Sequence, residues 1–207
     1  MSGTGADIGR WQERFSTADY VFGTEPNAFL VAEAHRLAAG SRVLAVADGE
    51  GRNGVWLAGQ GHQVLAIDAA PAALAKAQAL AAARGVAITT EQADLAQWDW
   101  GESRFDAIVA IFIQFAGPEL RARMFAGMRR ALKPGGWLLI EGYGLKQLEY
   151  RTGGPAQREN LYTPELLREA FAGFDILHLV EREAELDEGS GHRGRSALVD
   201  LVARKPR

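Results

Sequence analysis

The positions in this chain best suited to chemistry are a glycine turn and two acids. Asp48-Gly49-Glu50-Gly51 follows an apolar run, RVLAVA (42–47). Gly49 and Gly51 tolerate positive φ and let a ligand approach the backbone closely. A helix read from Asn53 to Gly59 would present free N–H groups beside them. Asp68 ends a second apolar run, QVLAID (63–68), 17 residues beyond Gly51. A carboxylate there can accept hydrogen bonds from both hydroxyls of a ribose. Asp94 ends a third run, VAITTEQAD (86–94). It can accept from an adenine amino group, while Leu95 and Ala69 offer apolar contact to the ring. Together these residues describe an adenosine pocket. Turn chemistry alone is the plainer reading, because Gly49–Gly54 matches a short G-x-G-x-x-G pattern that means little by itself.

These positions need strands and helices to hold them, and the chain alternates the two. Residues 7–16 read as a helix with Trp11 and Phe15 four apart. Residues 27–38 read as a second, begun near Pro26 and ended at Gly40. The three runs above are short and apolar, as buried parallel strands are. FDAIVAIF (105–112) and WLLIEGY (137–143) read as the fourth and fifth strands. Pro71 and Pro118 open helices 71–84 and 119–132, Gly85 closes the first, and Lys133-Pro134-Gly135-Gly136 breaks the second. Thr163 caps a helix over 164–172. FDILHLVEREAEL (174–186) and RSALVDLVARK (195–205) read as the last two strands. Asp187–Gly194 between them is too short for a crossover, so they must be antiparallel. Helices join the first five strands, which makes those parallel. Residues 144–162 read as a long loop, of the kind that often carries function. This gives an open α/β sheet, and ligands of such sheets bind beyond the carboxyl ends of the strands.

The chain has 207 residues, enough for one self-sufficient core. It has no cysteine, which excludes disulfides, thiolate nucleophiles and thiolate metal sites. A net charge of -3 disfavours nucleic acid as a partner. No apolar run approaches the roughly 20 residues of a membrane span. The first residues carry no signal-peptide pattern, so the expected location is cytoplasmic. The four histidines lack ligand spacing, so no metal is expected. Ser41, Ser103, Ser190 and Ser196 do not sit on a nucleophile elbow. A dinucleotide-binding oxidoreductase remains an alternative, since Asp68 nearly fits its ribose acid. Against it, Gly54 lies within the helix, Asp94 is a second strand-end acid, and the terminal hairpin is foreign to that fold.

The succession VLAVADGEGRN, AIDAAPAALAKA, QADL, FDAIVAIF, LKPGGWLLIEGY and a closing hairpin resembles the class I S-adenosylmethionine-dependent methyltransferases. GEGRN, the segment RWQERF…YVFGTEPNAFL and EGYGLKQLEYRTGGP resemble the tellurite-resistance (TehB-like) branch. The resemblance runs from about Trp11 to Lys205. It implies one Rossmann-like domain over 1–207, with a helical cap over 1–40 and a core over 41–207. The implied sheet is doubly wound, mostly parallel, seven-stranded and ordered 3-2-1-4-5-7-6, with a C-terminal antiparallel hairpin. S-Adenosylmethionine is the implied cofactor and S-adenosylhomocysteine its product. Ala47, Asp48, Gly49 and Gly51 would wrap its methionine end, and Asn53 would belong to the cofactor site. Asp68 would take the ribose, Asp94, Leu95 and Ala69 the adenine, and Ile111 would lie under the methionine portion. Arg14 and Tyr20 would close over it, with Arg14 facing the carboxylate. The family usually has an acid at position 45 and glycine at 47, and this chain has Ala45 and Ala47. Asp48, Glu50 or a backbone carbonyl would then hold the ammonium.

The acceptor implied is a small molecule, with thiols and chalcogen oxyanions suggested by the branch. Its pocket would lie above strands four to six, at Gln114, Tyr143, the 144–162 loop and the hairpin loop Glu188–Arg195. His192 in that loop is the candidate general base, though a solvated turn residue would look the same. Tyr150, Arg151 and Arg158 are candidate lid or lining residues. Arg158 and Arg193 would suit an anionic acceptor, or serve only as surface charge. His35, His62 and His178 read as structural. A cofactor-binding module without turnover is the non-enzyme alternative. Oligomeric state is not legible.

Overall fold

The computed structural model describes residues 4–207. Seven strands form one sheet: β1 (Arg42–Val46), β2 (Gln63–Asp68), β3 (Thr89–Gln92), β4 (Phe105–Ile111), β5 (Leu132–Tyr143), β6 (Asp175–Glu188) and β7 (His192–Arg204). Their order is β3-β2-β1-β4-β5-β7-β6. The first five are parallel, β7 runs antiparallel to β5 and β6 antiparallel to β7. This is the expected α/β sheet with its terminal hairpin.

Helices cover both faces, which is why β1, β2 and β4 are apolar nearly throughout. Helices α2 (Ala28–Glu33), α3 (Arg52–Gly59) and α4 (Pro71–Ala83) pack Phe29, Leu30, Val55, Leu57, Ala77 and Leu80 onto one face. Helices α5 (Pro118–Ala131) and α7 (Pro164–Ala170) pack Met124, Phe125, Met128, Leu167 and Phe171 onto the other. Pro71 and Pro118 stand in the first turns of α4 and α5, and Gly85 takes φ +67° just beyond α4. Thr163 caps α7, its hydroxyl accepting from Leu166 N at 3.1 Å. Helix α1 (Thr4–Phe15) lies across α4, with Phe15 buried against Ala70 and Ala73.

Several boundaries differ from the sequence reading. The second helix is only half as long as expected. Asn27, not Pro26, caps it, accepting from Leu30 N at 3.0 Å, and residues 34–36 tighten into a 3-10 turn. Strand β3 shrinks to the four residues that pair with β2. Lys133–Gly136 does not end a helix in a loop; the register jumps from Phe105–Leu132 to Ala107–Trp137, so the four residues bulge within β5. Residues 144–162 are not loose. A bridge joins Gly144 to Tyr162, and the segment holds the short helix α6 (Gln147–Tyr150) and a 3-10 turn at 158–160. The hairpin connection contracts to Gly189-Ser190-Gly191, because Glu188 already pairs with His192. His192 therefore begins β7 instead of sitting in a loop.

Among the described residues no helix is long and apolar enough to cross a membrane, and no group of three or more metal-ligating side chains is placed to hold a metal ion.

Candidate functional site

A cavity of about 430 Å3 runs along the carboxyl edge of the sheet. That volume lies within the roughly 300–1,000 Å3 of ordinary ligand sites. Strand order lays out its floor: Asp94 follows β3, Asp68 ends β2, Ala47 to Gly49 follow β1, Ile111 ends β4 with Phe112 just beyond it, and His192 opens β7. Two walls come from elsewhere. Ile8, Trp11, Phe15 and Phe22 of the N-terminal segment form one, and the start of α5 with Phe115 forms the other.

Backbone strain concentrates here. Ala47 takes φ +47° and Phe112 takes φ +55°, at the ends of neighbouring strands. Non-glycine residues rarely adopt such angles, and strain of this kind gathers at functional sites. Position 47 thus keeps the backbone shape that favours glycine while carrying alanine.

Asp68 is 8% exposed. Its Oδ2 accepts from Gly49 N at 3.0 Å and its Oδ1 from Ala70 N at 2.9 Å. Each oxygen keeps a further lone pair for a ligand hydroxyl. Burial raises its pKa, and the N–H groups of Ala70 and Gly49 oppose that. Asp94 is half-buried and accepts from Ala96 N at 3.0 Å and Gln97 Nε2 at 3.2 Å. Leu95 and Ala69 stand beside these acids in the lining.

The two acids of the glycine turn have other work. Asp48 accepts from Gly54 N at 3.1 Å, and a Cβ on Gly54 would fall 2.4 Å from its Oδ2. Gly54 is thus the close-approach residue for Asp48, within α3. Burial pushes the Asp48 carboxyl up to about 7. Glu50 ties down the N-terminal segment. Its Oε2 accepts from Val21 N at 2.8 Å and Phe22 N at 3.4 Å, and its Oε1 pairs with Lys76 Nζ at 2.7 Å. The hairpin holds the same segment from the other side, through Gly191 N to Val21 O at 3.0 Å. Asn53 Oδ1 accepts from Asn27 N at 2.9 Å, fixing the second helix to the third.

The far end of the cavity is built by Phe112, Arg52 and His192. The His192 ring lies 4.3 Å from that of Phe112 and 4.4 Å from that of Phe22. Burial lowers its pKa, so at neutral pH it is an uncharged proton acceptor. Its Nδ1 faces Glu188 Oε2 at 3.6 Å. Arg52 Nη2 bonds Glu188 Oε2 at 2.8 Å. Burial alone would raise Glu188, but His192 and Arg52 hold its carboxyl down at about 2.

Ala47, Asp48, Gly49, Asn53, Asp68, Ala69, Asp94, Leu95, Ile111 and His192 all line the cavity. Gly51 turns beneath it at φ +89°, where a Cβ would fall 2.6 Å from Ala77 Cβ; it brings α3 close to α4. Other expected positions lie elsewhere. Tyr20 donates its hydroxyl to Lys76 O at 3.1 Å and backs the Glu50–Lys76 pair. Arg14 sits over the rings of Trp11 and Phe22, at 5.1 and 5.0 Å, outside the aromatics that line the wall. Gln114 spends its amide on Tyr143 N, Tyr143 O and Asn160 O. It staples the end of β5 to the following segment. Tyr143 is buried behind Phe112, their rings 4.7 Å apart. Tyr150 packs between Lys146 and Arg195, and Arg158 and Arg193 are exposed. Arg151 is likewise exposed. The sequence reading missed Arg52, Phe112, Phe115 and Phe22 as lining residues. A charged residue opening the helix directly after the turn was the signal for Arg52.

A family model described as a methyltransferase domain matches residues 43–136, from β1 into the bulge of β5. No curated protein matches the chain. Solved structures share the fold. A SAM-dependent methyltransferase from Methanosarcina mazei has a TM-score of 0.70 at 20% identity, covering 88% of this chain and 99% of its own. TehB from Haemophilus influenzae has 0.71 at 20%, over 94% of this chain and 65% of that one. The N-methyltransferase NodS from Bradyrhizobium japonicum, in complex with S-adenosyl-L-homocysteine, has 0.70 at 16%, over 100% of both.

Proposed function

We infer that this chain, whose residues 43–136 match a family model described as a methyltransferase domain, is a class I S-adenosylmethionine-dependent methyltransferase acting on a small-molecule acceptor. The observation that carries the reading is the order of groups along one cavity: Asp94, Asp68, Gly49, Ile111 with Phe112, then His192. That order parallels adenine, ribose, methionine and acceptor. The residues fit the cofactor: each Asp68 oxygen keeps a lone pair for a ribose hydroxyl, and the floor under the methionine position is bare backbone at Ala47–Gly49.

S-Adenosylmethionine supplies a methyl group already activated by its sulfonium. The protein's part is position and exclusion of water. Phe112, Phe22 and Phe115 make the transfer end apolar. The acceptor would be held beside His192, where the Phe112 and Phe22 rings would exclude water. A proton lost by the acceptor passes to neutral His192. Trp11, Phe15 and Phe22 cap the cavity from the N-terminal forty residues, which we assign with the core to one catalytic unit. Among acceptors, thiols and chalcogen oxyanions suit an end that sets neutral His192 and the Arg52 guanidinium among the Phe112 and Phe22 rings. A binding module without turnover has no need of a cavity reaching past Phe112 to His192.

Incubation with methyl-labelled S-adenosylmethionine and a panel of thiols, selenite, tellurite and small amines tests the reading by mass spectrometry. A labelled product formed by wild type supports it. Tight cofactor binding with no product across the panel would instead favour the binding module.

A further inference from the structure

The cavity is electrically uneven. Asp68 and Asp94 line the nucleoside end, while Arg52 lines the other. Arg52 is 6% exposed. A guanidinium carries five donors in a fixed fork, and Glu188 takes Nη2 at 2.8 Å. Nη1 is buried with no hydrogen-bond partner among the described residues. A buried charged donor left unpaired is costly, and Arg52 belongs to the wall of a cavity. His192 Nδ1 and the Tyr143 hydroxyl lie in the same neighbourhood and are also unpartnered. Two carboxyls share the field of Arg52. Glu188 is already paired to Nη2, and Asp48 is turned to Gly54 N. Neither bonds Nη1.

We propose that Arg52 Nη1, beside His192, is the seat for a carboxylate or oxyanion of the bound ligands. The proposal rests on the methyltransferase reading for what brings the anion. Two sources share this chemistry: the carboxylate of the cofactor's methionine and an anionic group on the acceptor. The seat takes the place expected for Arg14, which the structure sets outside the lining.

The test compares wild type with Arg52→Met, and with Arg52→Met/Glu188→Gln, which leaves no unpaired carboxylate if the single variant folds poorly. Each is titrated by calorimetry with S-adenosylhomocysteine and with 5′-methylthioadenosine, which has the nucleoside and sulfur but no amino-acid end. Acetate and selenite are then titrated into protein saturated with S-adenosylhomocysteine. A tenfold or greater loss for S-adenosylhomocysteine, with methylthioadenosine unchanged, assigns the seat to the cofactor carboxylate. Unchanged S-adenosylhomocysteine binding, with anion binding lost in the variants, assigns it to the acceptor. All titrations unchanged between wild type and variants overturn the proposal. If wild type binds neither nucleoside, the methyltransferase reading fails separately. Acetate and selenite on the free protein then decide the seat, which is refuted if wild type and variants bind them alike.

Discussion

Replacing Glu50 with alanine should loosen the N-terminal wall of the cavity. The carboxylate accepts Val21 N at 2.8 Å and Phe22 N at 3.4 Å, and pairs with Lys76 at 2.7 Å. A hydrogen bond to a charged group contributes about 1.5–3 kcal/mol. The short contact counts in full and the long one adds little. The wall should therefore open more readily by about 2–3 kcal/mol, roughly 30- to 150-fold in the opening equilibrium. Amide exchange at Val21 is a poor witness, because the substitution removes that amide's own acceptor. Gly191 is a better one: its N–H bonds Val21 O and never touches Glu50. Hydrogen exchange followed by NMR should show the Gly191 amide exchanging at least tenfold faster in Glu50→Ala. Glu50→Gln, which keeps an acceptor for Val21, should fall between. Gly191 exchange at the wild-type rate in Glu50→Ala would show that the hairpin holds the segment alone, and the anchoring role of Glu50 would be wrong.

Asp68→Ala removes the acceptor assigned to the ribose, and a charged hydrogen bond of about 1.5–3 kcal/mol predicts a roughly 10- to 150-fold weaker S-adenosylhomocysteine affinity; calorimetry giving wild-type affinity would displace the ribose from Asp68. Burial lowers the pKa of His192 below its ordinary 6.5, so kcat/KM should rise with pH through a value under 6.5 and then level off. His192→Gln should abolish that limb, and an unaltered profile would remove His192 as the base. Burial and the neighbouring Asp200 raise Glu141 from 4.5 to about 8. Between those values the folded protein holds a proton the unfolded chain has released, so Glu141 costs stability as pH rises through that window. Melting curves should show Glu141→Gln gaining on wild type from pH 5 to pH 8, and a constant gap would contradict the assignment.

The sequence was most readable where burial is complete. Strands β1, β2 and β4 announce themselves because both faces are covered, leaving them apolar nearly throughout. Pro71, Pro118, Gly85 and Thr163 mark helix ends by local backbone chemistry, which needs no partner. What depends on a distant partner was hidden. Lys133–Gly136 reads as a break, and only β4 beside it and the chain end across from it turn the break into a bulge, with Gly135 N bonded to Lys205 O. Asp187 and Glu188 read as the start of the hairpin loop until pairing with Arg193 and His192 carries β6 through them. The site followed the same division. Positions fixed by strand ends, such as Asp68, Asp94 and Ile111, fell on the cavity wall. Side-chain direction is not written in spacing, so Arg14 packs over Trp11 and Phe22, Tyr20 backs Lys76, Glu50 reaches back to Val21, and Arg52 joins the cavity lining unforeseen.

The central claim is that the cavity takes S-adenosylmethionine and its product. Calorimetric titration of the wild-type chain with S-adenosylhomocysteine, and separately with NAD, tests it directly. Saturable binding of S-adenosylhomocysteine with no heat from NAD is the predicted result. Binding of NAD without S-adenosylhomocysteine would contradict the account.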